Sequence, residues 1–149
     1  DAVVDIATEH GLEACYHPHL TTIVESPAEL DLLFERTRIG FCPDTAHLAA
    51  GGGDSAELIR RYPDRIRHVH LKDARLDPLE FLPLGEGLID FDDVRDALHE
   101  SGYDGWLLVE LDSYAGAPGE AAAVSKTFLD HLLAASGAAA SHHHHGEAR

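Results

Sequence analysis

A short apolar run followed by an amphipathic helix recurs four times along this chain, and this alternation constrains the fold more than any other feature. The runs that predict strands span residues 12–17, 38–44, 65–71 and 106–111. The segments that predict helices span residues 1–10, 27–36, 54–62, 92–101 and 120–135. Strands that alternate with helices of this length form βαβ units around a parallel sheet, so the chain is predicted to be an α/β protein.

Four βα units fit two architectures, a small doubly wound sheet or half of a (β/α)8 barrel, whose usual length is about 250 residues. A doubly wound sheet often carries a glycine-rich phosphate loop after a strand. Residues 51–53 are three glycines, but they lack the spacing of either nucleotide-binding motif, and we interpret them as a turn. The placement of polar residues favours the barrel.

Ionisable residues finish all four predicted strands on one face. Side chains alternate along a strand, so this face is predicted to hold the last or the next-to-last residue of each run. In barrel enzymes the catalytic residues lie at these strand ends. Buried charges that converge need mutual pairing or a bound cation, because an unpaired one costs several kcal/mol. The residues expected to converge are His17, Asp44, His70 and Glu110.

A mixed set of imidazoles and carboxylates suits a divalent Mn, Co, Fe or Zn ion better than Ca or Mg, which prefer oxygen ligands. Each residue also has a simpler interpretation. Asp44 could cap a helix, Glu110 could pair with a nearby cation, and His17 could bond a carbonyl. One shared site is the more economical explanation of four matching positions. Asp73 is interpreted as a cap or as a partner of Lys72 rather than as a ligand.

Composition excludes several function classes. Lys plus Arg number 11 and Asp plus Glu 27, which gives a net charge of −16 and argues against nucleic-acid or anionic-membrane partners. No apolar run reaches the roughly 18 residues of a membrane span. Two cysteines are too few for a disulfide framework, which predicts a cytoplasmic protein. Residues 136–149, including His142–His145, are predicted to be a disordered Ala/His-rich tail outside the domain at 1–135.

Five segments occur in an order that resembles the xylose isomerase-like barrel superfamily of sugar isomerases, epimerases and dehydratases, and most of all its inosose dehydratase branch. They are YHPH (16–19), DTAH (44–47), HVHLKD (68–73), PLGEGLIDF (83–91) and GYDGWLLVELD (102–112). The resemblance covers about residues 1–135. It implies that the chain corresponds to units five to eight, the C-terminal half of a (β/α)8 TIM barrel.

The resemblance implies a metal site with an acidic residue ending strand five, an Asp, a His and a Glu. Asp44, His70 and Glu110 match the last three positions. The first position departs from the family pattern, because this chain has His-Pro-His where many members have Glu-x-His. Either His17 replaces the carboxylate or the ion keeps three protein ligands, and Glu13, deeper on the same face, is a weaker candidate. The implied ion is Mn or Co, with Zn, Fe or Mg as alternatives.

The resemblance also implies proton-transfer roles for His19 and His47 and charge stabilisation by Lys72. The implied substrate is a small keto-polyol or sugar. The reaction begins with removal of a proton next to a ketone, a step that a metal Lewis acid and a histidine base can catalyse together. Loss of a hydroxyl then gives dehydration, whereas reprotonation gives isomerisation or epimerisation, and both remain open.

Half of a barrel would leave two sheet edges and its interior uncovered. We therefore expect either a missing N-terminal half or a homo-oligomer. A third possibility is a half-barrel that binds metal but turns over no substrate.

Overall fold

The computed structural model describes the backbone of residues 1–140 and the side chains of residues 1–135. The helices in this range are α1 (Ala2–Glu9), α2 (Pro27–Arg36), α3 (Thr45–Ala50), α4 (Ser55–Arg61), α5 (Phe91–Glu100) and α6 (Pro118–Ala140). The strands are β1 (Cys15–Tyr16), β2 (Gly40–Phe41), β3 (Val69–Leu71), β4 (Asp73–Leu76), β5 (Leu79–Leu82) and β6 (Leu107–Val109). A 3₁₀ turn spans Pro63–Arg65.

Four parallel strands follow one another across the sheet in the order β1, β2, β3, β6. The pairs β1–β2 and β3–β6 are both parallel. Between β2 and β3, the Arg67 N–H donates to the Phe41 carbonyl and the His70 N–H donates to the Pro43 carbonyl, each at 2.9 Å. Each strand thus lies beside the next strand of its βα series, which confirms the predicted succession of parallel units.

The helices cover one face of this sheet and form the hydrophobic core with it. Phe41, Val69 and Leu71 point into this core and are at most 1% exposed. Helix α2 begins at a capping box, in which the Ser26 hydroxyl and the Glu29 carboxylate each accept a backbone N–H. Its last carbonyls accept hydrogen bonds from the Arg65 guanidinium, which fixes α2 to the strand below it.

The opposite face of the sheet is the barrel interior, and its lower part is open. Trp106 and Leu108 of the last strand are 81% and 44% exposed, whereas Leu107 and Val109 pack against the core. The phase of the third strand differs from strict alternation, because Ile66 packs in the helical core and the inward-facing residues begin at His68. Among the described residues, no helix is long and apolar enough to cross a membrane.

Three features differ from the sequence expectation. The parallel strands are shorter than predicted, since regular pairing is confined to two or three residues each. Helix α3 and the antiparallel hairpin β4–β5 were not predicted. Helix α6 continues to Ala140, five residues past its predicted end, and the remainder of the predicted tail, residues 141–149, lies outside the described residues.

Candidate metal centre

Four side chains from four strand ends converge above the barrel interior. In His17, Asp44, His70 and Glu110, one potential ligand atom of each lies within 4.8 Å of all the others. His17 Nε2 is 3.3 Å from Asp44 Oδ2 and 4.0 Å from Glu110 Oε2. His70 Nδ1 is 2.8 Å from Glu110 Oε2 and 3.9 Å from Asp44 Oδ2. The structure therefore brings together all four residues of the predicted metal set.

This donor set has the size of a metal site. Four ligands that surround a tetrahedral ion at about 2.1 Å lie about 3.4 Å from one another. The four interatomic distances given above, from 2.8 to 4.0 Å, bracket that distance. Two imidazoles with two carboxylates also form the borderline donor set that Zn, Mn, Fe and Co share. The residues present thus fit a divalent ion in spacing and in chemistry.

Asp44 serves two neighbours with its two oxygens. Its Oδ1 accepts the backbone N–H groups of Ala46 and His47 at the start of α3, so the helix-cap interpretation of Asp44 is also correct. Its Oδ2 faces the cluster. Burial alone would raise the Asp44 pKa, but hydrogen bonds from His17 and the His47 N–H, together with nearby Lys72, lower it to about 2. The carboxylate is therefore an anion at neutral pH.

Lys72 lies two residues after His70 of β3 and turns its amine into the same cluster. The side chain is fully buried, with Nζ at 2.9 Å from Glu110, 2.9 Å from Asp112 and 3.2 Å from Asp44. Burial opposes its charge, but a hydrogen bond to Asp112 and the other two carboxylates raise the pKa of Lys72. Burial likewise opposes the charge of Glu110, whose pKa is lowered by hydrogen bonds from Lys72 and His70.

A second group lies directly beside the first. Potential ligand atoms of His19, His47 and Asp112 also lie within 4.8 Å of one another. The His47 Nε2 atom is 3.0 Å from Lys72 Nζ and 3.2 Å from Asp112 Oδ2. Lys72 therefore connects the two groups. The predicted catalytic residues His19, His47 and Lys72 lie together next to the first group.

The two histidines of this second group differ in environment. His47 is 2% exposed, and burial lowers its pKa to about 4, so its imidazole is neutral at neutral pH. His19 is half-buried, and its ring centroid lies 3.7 Å from that of His47. The His19 Nδ1–H group donates a hydrogen bond to the Leu20 carbonyl oxygen at 2.8 Å. In neutral His19 the lone pair is consequently on Nε2.

Asp112 is the site residue that sequence reasoning missed. It continues the inward phase of Trp106, Leu108 and Glu110, but the predicted strand ended at residue 111. Its carboxylate bonds Lys72 and His47. Extending the alternation by one residue would have identified it.

Glu13, the weaker candidate for the first ligand, lies elsewhere. Its side chain is 76% exposed and its carboxylate pairs with Arg67 at 3.2 Å, because the irregular start of the third strand turns Arg67 toward it. Asp73 is not a helix cap, because its oxygens accept backbone N–H groups of the loop 84–89. Neither Glu13 nor Asp73 belongs to the group of four potential metal ligands.

The hairpin β4–β5 forms a wall beside the second group. The Phe81 ring lies 5.2 Å from Lys72 Nζ and 5.4 Å from the His47 ring. An aromatic face next to an ammonium group is electrostatically favourable. This wall bounds the space above the two groups on the side of β3.

The fold and the site define half of a (β/α)8 barrel with a histidine–carboxylate cluster at the C-terminal ends of its strands. Residues 1–132 match the family model described as xylose isomerase-like TIM barrel. The chain belongs to this family, and the resemblance found in its motifs is confirmed.

Several relatives are similar to this chain over about half of their own length. The inosose dehydratase of Lacticaseibacillus casei is 38% identical over 148 residues, covering 85% of this chain and 50% of the relative. A D-tagatose 3-epimerase-like protein of known structure has a TM-score of 0.72 at 27% identity, covering 89% of this chain and 51% of its own. The structure of the IolI protein with a binding zinc atom has a TM-score of 0.71 at 22% identity, with coverages of 89% and 52%. The chain spans about half the length of the curated relatives it matches.

Proposed function

We propose that this chain carries the metal centre and the proton-transfer groups of an inosose dehydratase-like enzyme. In this function His17, Asp44, His70 and Glu110 hold a divalent ion. The observation that carries the proposal is the convergence of these four donors at strand ends, with Lys72 beside them. The similarity to an inosose dehydratase at 38% identity supports the keto-inositol substrate class.

A divalent ion bound there supplies a Lewis acid that polarises a substrate carbonyl. The protein residues supply the proton transfers and the remaining charge. We propose His19 as the base, because its Nε2 lone pair is available and its ring is half-buried. Lys72 stays protonated and stabilises negative charge that develops on the substrate oxygen.

His47 is proposed as the second proton-transfer group. The Nε2 atom of its neutral imidazole contacts both the protonated Lys72 amine and the Asp112 carboxylate. The proton that His19 removes from the substrate is the one delivered to the leaving hydroxyl group: passed on through His47, whose ring lies 3.7 Å from that of His19, it lets the hydroxyl leave as water and restores neutral His19, which completes a dehydration. Mn or Co is the proposed ion, and the zinc in the IolI relative makes Zn an alternative.

Two other functions have support. The similarity to a D-tagatose 3-epimerase-like protein at 27% identity favours an isomerase or epimerase on the same site, because both reactions share the first proton abstraction. A metal-binding half-barrel without turnover would need only the four donors of the proposed metal site. Turnover of keto-inositol, compared with turnover of ketoses, separates the first two functions. Metal binding without either turnover identifies the third.

The first test is metal content by elemental analysis. The full chain is used with His142–His145 replaced by Ala, because this histidine run can bind metal by itself. We expect about one Mn, Co, Fe or Zn per chain, and a loss of most of it in Asp44→Asn and Glu110→Gln. Glu13→Gln is the matched control, since its carboxylate pairs with Arg67 outside the cluster. Absence of bound metal after incubation with Mn or Co would refute the proposed centre in this chain.

A further inference from the structure

Asp73 is a fully buried carboxylate outside the group of four proposed metal ligands. Its Oδ1 accepts hydrogen bonds from the N–H groups of Ala74 at 2.9 Å and Ile89 at 3.2 Å. Its Oδ2 accepts those of Gly85 at 2.9 Å and Gly87 at 2.8 Å. Two oxygens that accept four N–H groups show the bonding pattern of a carboxylate anion, and concave sets of backbone N–H groups are built to hold anions.

The loop is shaped to fit this carboxylate. A Cβ atom at Gly87 would lie 2.1 Å from Asp73 Oδ1 and 2.6 Å from the Ala74 carbonyl oxygen. Gly85 has a positive φ of 86°, and a Cβ there would collide with the Phe128 ring of α6. Both glycines are therefore required for the loop to approach Asp73 on one side and α6 on the other.

The same loop is held from behind by α6. The Leu84 N–H donates to the Ser125 hydroxyl at 3.1 Å. Asp73 is also the first residue of the hairpin β4–β5 and pairs with Leu82. This hairpin carries Phe81 against Lys72 and His47. The Asp73 carboxylate thus connects the loop 84–89 to the start of the hairpin, directly after Lys72.

We propose that Asp73 is a positioning residue whose carboxylate fixes the loop 84–89 and the root of the hairpin as a rigid wall beside Lys72. The contribution of this wall to catalysis rests on the proposed function. The anion cradle, formed by the N–H groups of Ala74, Gly85, Gly87 and Ile89 around the carboxylate, does not rest on the proposed function, because its test requires neither turnover nor metal. The cradle keeps its preference for an anion when the Asp73 side chain is removed, so a small carboxylate added to the solution takes its place.

The first experiment measures amide hydrogen exchange by NMR in the full chain and in Asp73→Asn. We expect exchange at Gly85, Gly87 and Ile89 to be faster by about tenfold or more, because hydrogen bonds to a charged acceptor are lost. Exchange at Leu30 of α2 should be unchanged. Asp77→Asn is the matched control, since Asp77 is exposed in the turn of the same hairpin. Unchanged exchange at the three loop amides in a folded Asp73→Asn chain would overturn the proposal.

The second experiment is a chemical rescue of Asp73→Gly. Sodium formate is added, with sodium chloride at equal ionic strength as the reference. We expect formate, but not chloride, to slow exchange at Gly85 and Gly87 in a saturable manner and to raise the unfolding temperature. A general structural role of Asp73 would give no difference between the two salts, and this result would overturn the anion cradle. Should Asp73→Gly be unfolded in chloride, formate-dependent refolding supports the proposal and its absence contradicts it.

Metal content after incubation with Mn or Co is measured on Asp73→Asn in the chain with His142–His145 replaced by Ala. The four proposed metal ligands are other residues, so we expect the content to equal that of the chain with Asp73 intact. Failure of the metal centre would appear as missing metal in both proteins. Failure of the Asp73 proposal would appear in the exchange rates alone.

Discussion

The Lys72 ammonium lies 3.2 Å from the Asp44 carboxylate, and both side chains are completely buried. The same amine is 2.9 Å from Glu110 and 3.0 Å from the His47 Nε2 atom. Together with Asp112 it faces four acceptors, although an ammonium group has three N–H donors. Two of the four proposed metal ligands therefore have a fixed cation within hydrogen-bond distance, and this cation repels any second one.

Replacement of Lys72 by Met should consequently tighten metal binding. Lys72→Met removes a positive charge from the neighbourhood of the proposed ion, and we expect about tenfold higher affinity for Co²⁺. The affinity is measured by absorbance titration of a chain with His142–His145 replaced by Ala. Lys126→Met, which removes an exposed lysine paired with Asp130, should leave the affinity unchanged. Weaker binding by Lys72→Met would mean that the amine organises the ligands more than it repels the ion.

The buried His47 should make stability depend on pH in metal-free protein. Burial lowers its pKa to about 4, against an ordinary value of about 6.5 in the unfolded chain. Between these values the unfolded state binds more protons, so the free energy of unfolding falls as the pH falls from 6.5 to 4 and this contribution levels off below 4. The full loss amounts to about 3 kcal/mol.

Urea unfolding at pH 7 and pH 4.5 in the presence of a chelator measures this effect. His47→Gln should reduce the difference between the two pH values by most of that amount. His131→Gln, a replacement on the exposed surface of α6, should retain the full difference. Equal pH dependence in the unchanged chain and in His47→Gln would show that another group is responsible.

Two glycines should respond in opposite directions to replacement by alanine. A Cβ atom at Gly51, which follows α3, would lie 2.1 Å from the backbone oxygen of Glu25, so the backbone must move. We expect Gly51→Ala to lower the free energy of unfolding by about 2 kcal/mol. Gly119 in the first turn of α6 has open space around its Cβ position. Gly119→Ala should raise the free energy of unfolding by about 0.5 kcal/mol. Thermal unfolding of both variants checks the pair, and equal effects would contradict the contact at Gly51.

The elements predicted best are those with local signals in the chain. The capping box of Ser26 and Glu29 fixes the start of α2, and the predicted helix over 27–36 agrees with Pro27–Arg36. Helix α3 lacks the alternation of apolar and polar positions that predicts a surface helix, because most of its six residues are buried. The hairpin β4–β5 has arms of four residues separated by Asp77 and Pro78, and these arms are too short for a periodic signal. Its pairing depends on contacts that sequence spacing does not encode.

The candidate site likewise has a part that the sequence predicts and a part that depends on packing. Strand phase and strand ends suffice to group Asp44, His70 and Glu110, because parallel strands present their C-terminal residues at one edge. The contact of Lys72 with Asp112 depends on the register between β3 and β6, in which His70 lies opposite Leu108. Register is set by packing across the sheet, so neither this pair nor the buried anion cradle at Asp73 follows from the sequence alone.

The single tryptophan of the chain reports on the open interior of the half-barrel. Trp106 is 81% exposed at the last strand of the described sheet, beside Leu108 on the same face. Large exposed apolar side chains at a strand edge favour association. We expect the fluorescence emission of Trp106 to shift to shorter wavelength as protein concentration rises, together with a native mass of two copies of the 16.1 kDa chain.

Light scattering of Trp106→Glu provides the decisive comparison. A negative charge on the open interior face should weaken the association of two chains. We therefore expect Trp106→Glu to have the mass of one chain at concentrations where the unchanged chain is dimeric. Leu32→Glu is the matched control, because Leu32 is 44% exposed on the helical face of α2. It should leave the mass unchanged. A mass of 16.1 kDa for the unchanged chain at every concentration would exclude self-association through this face.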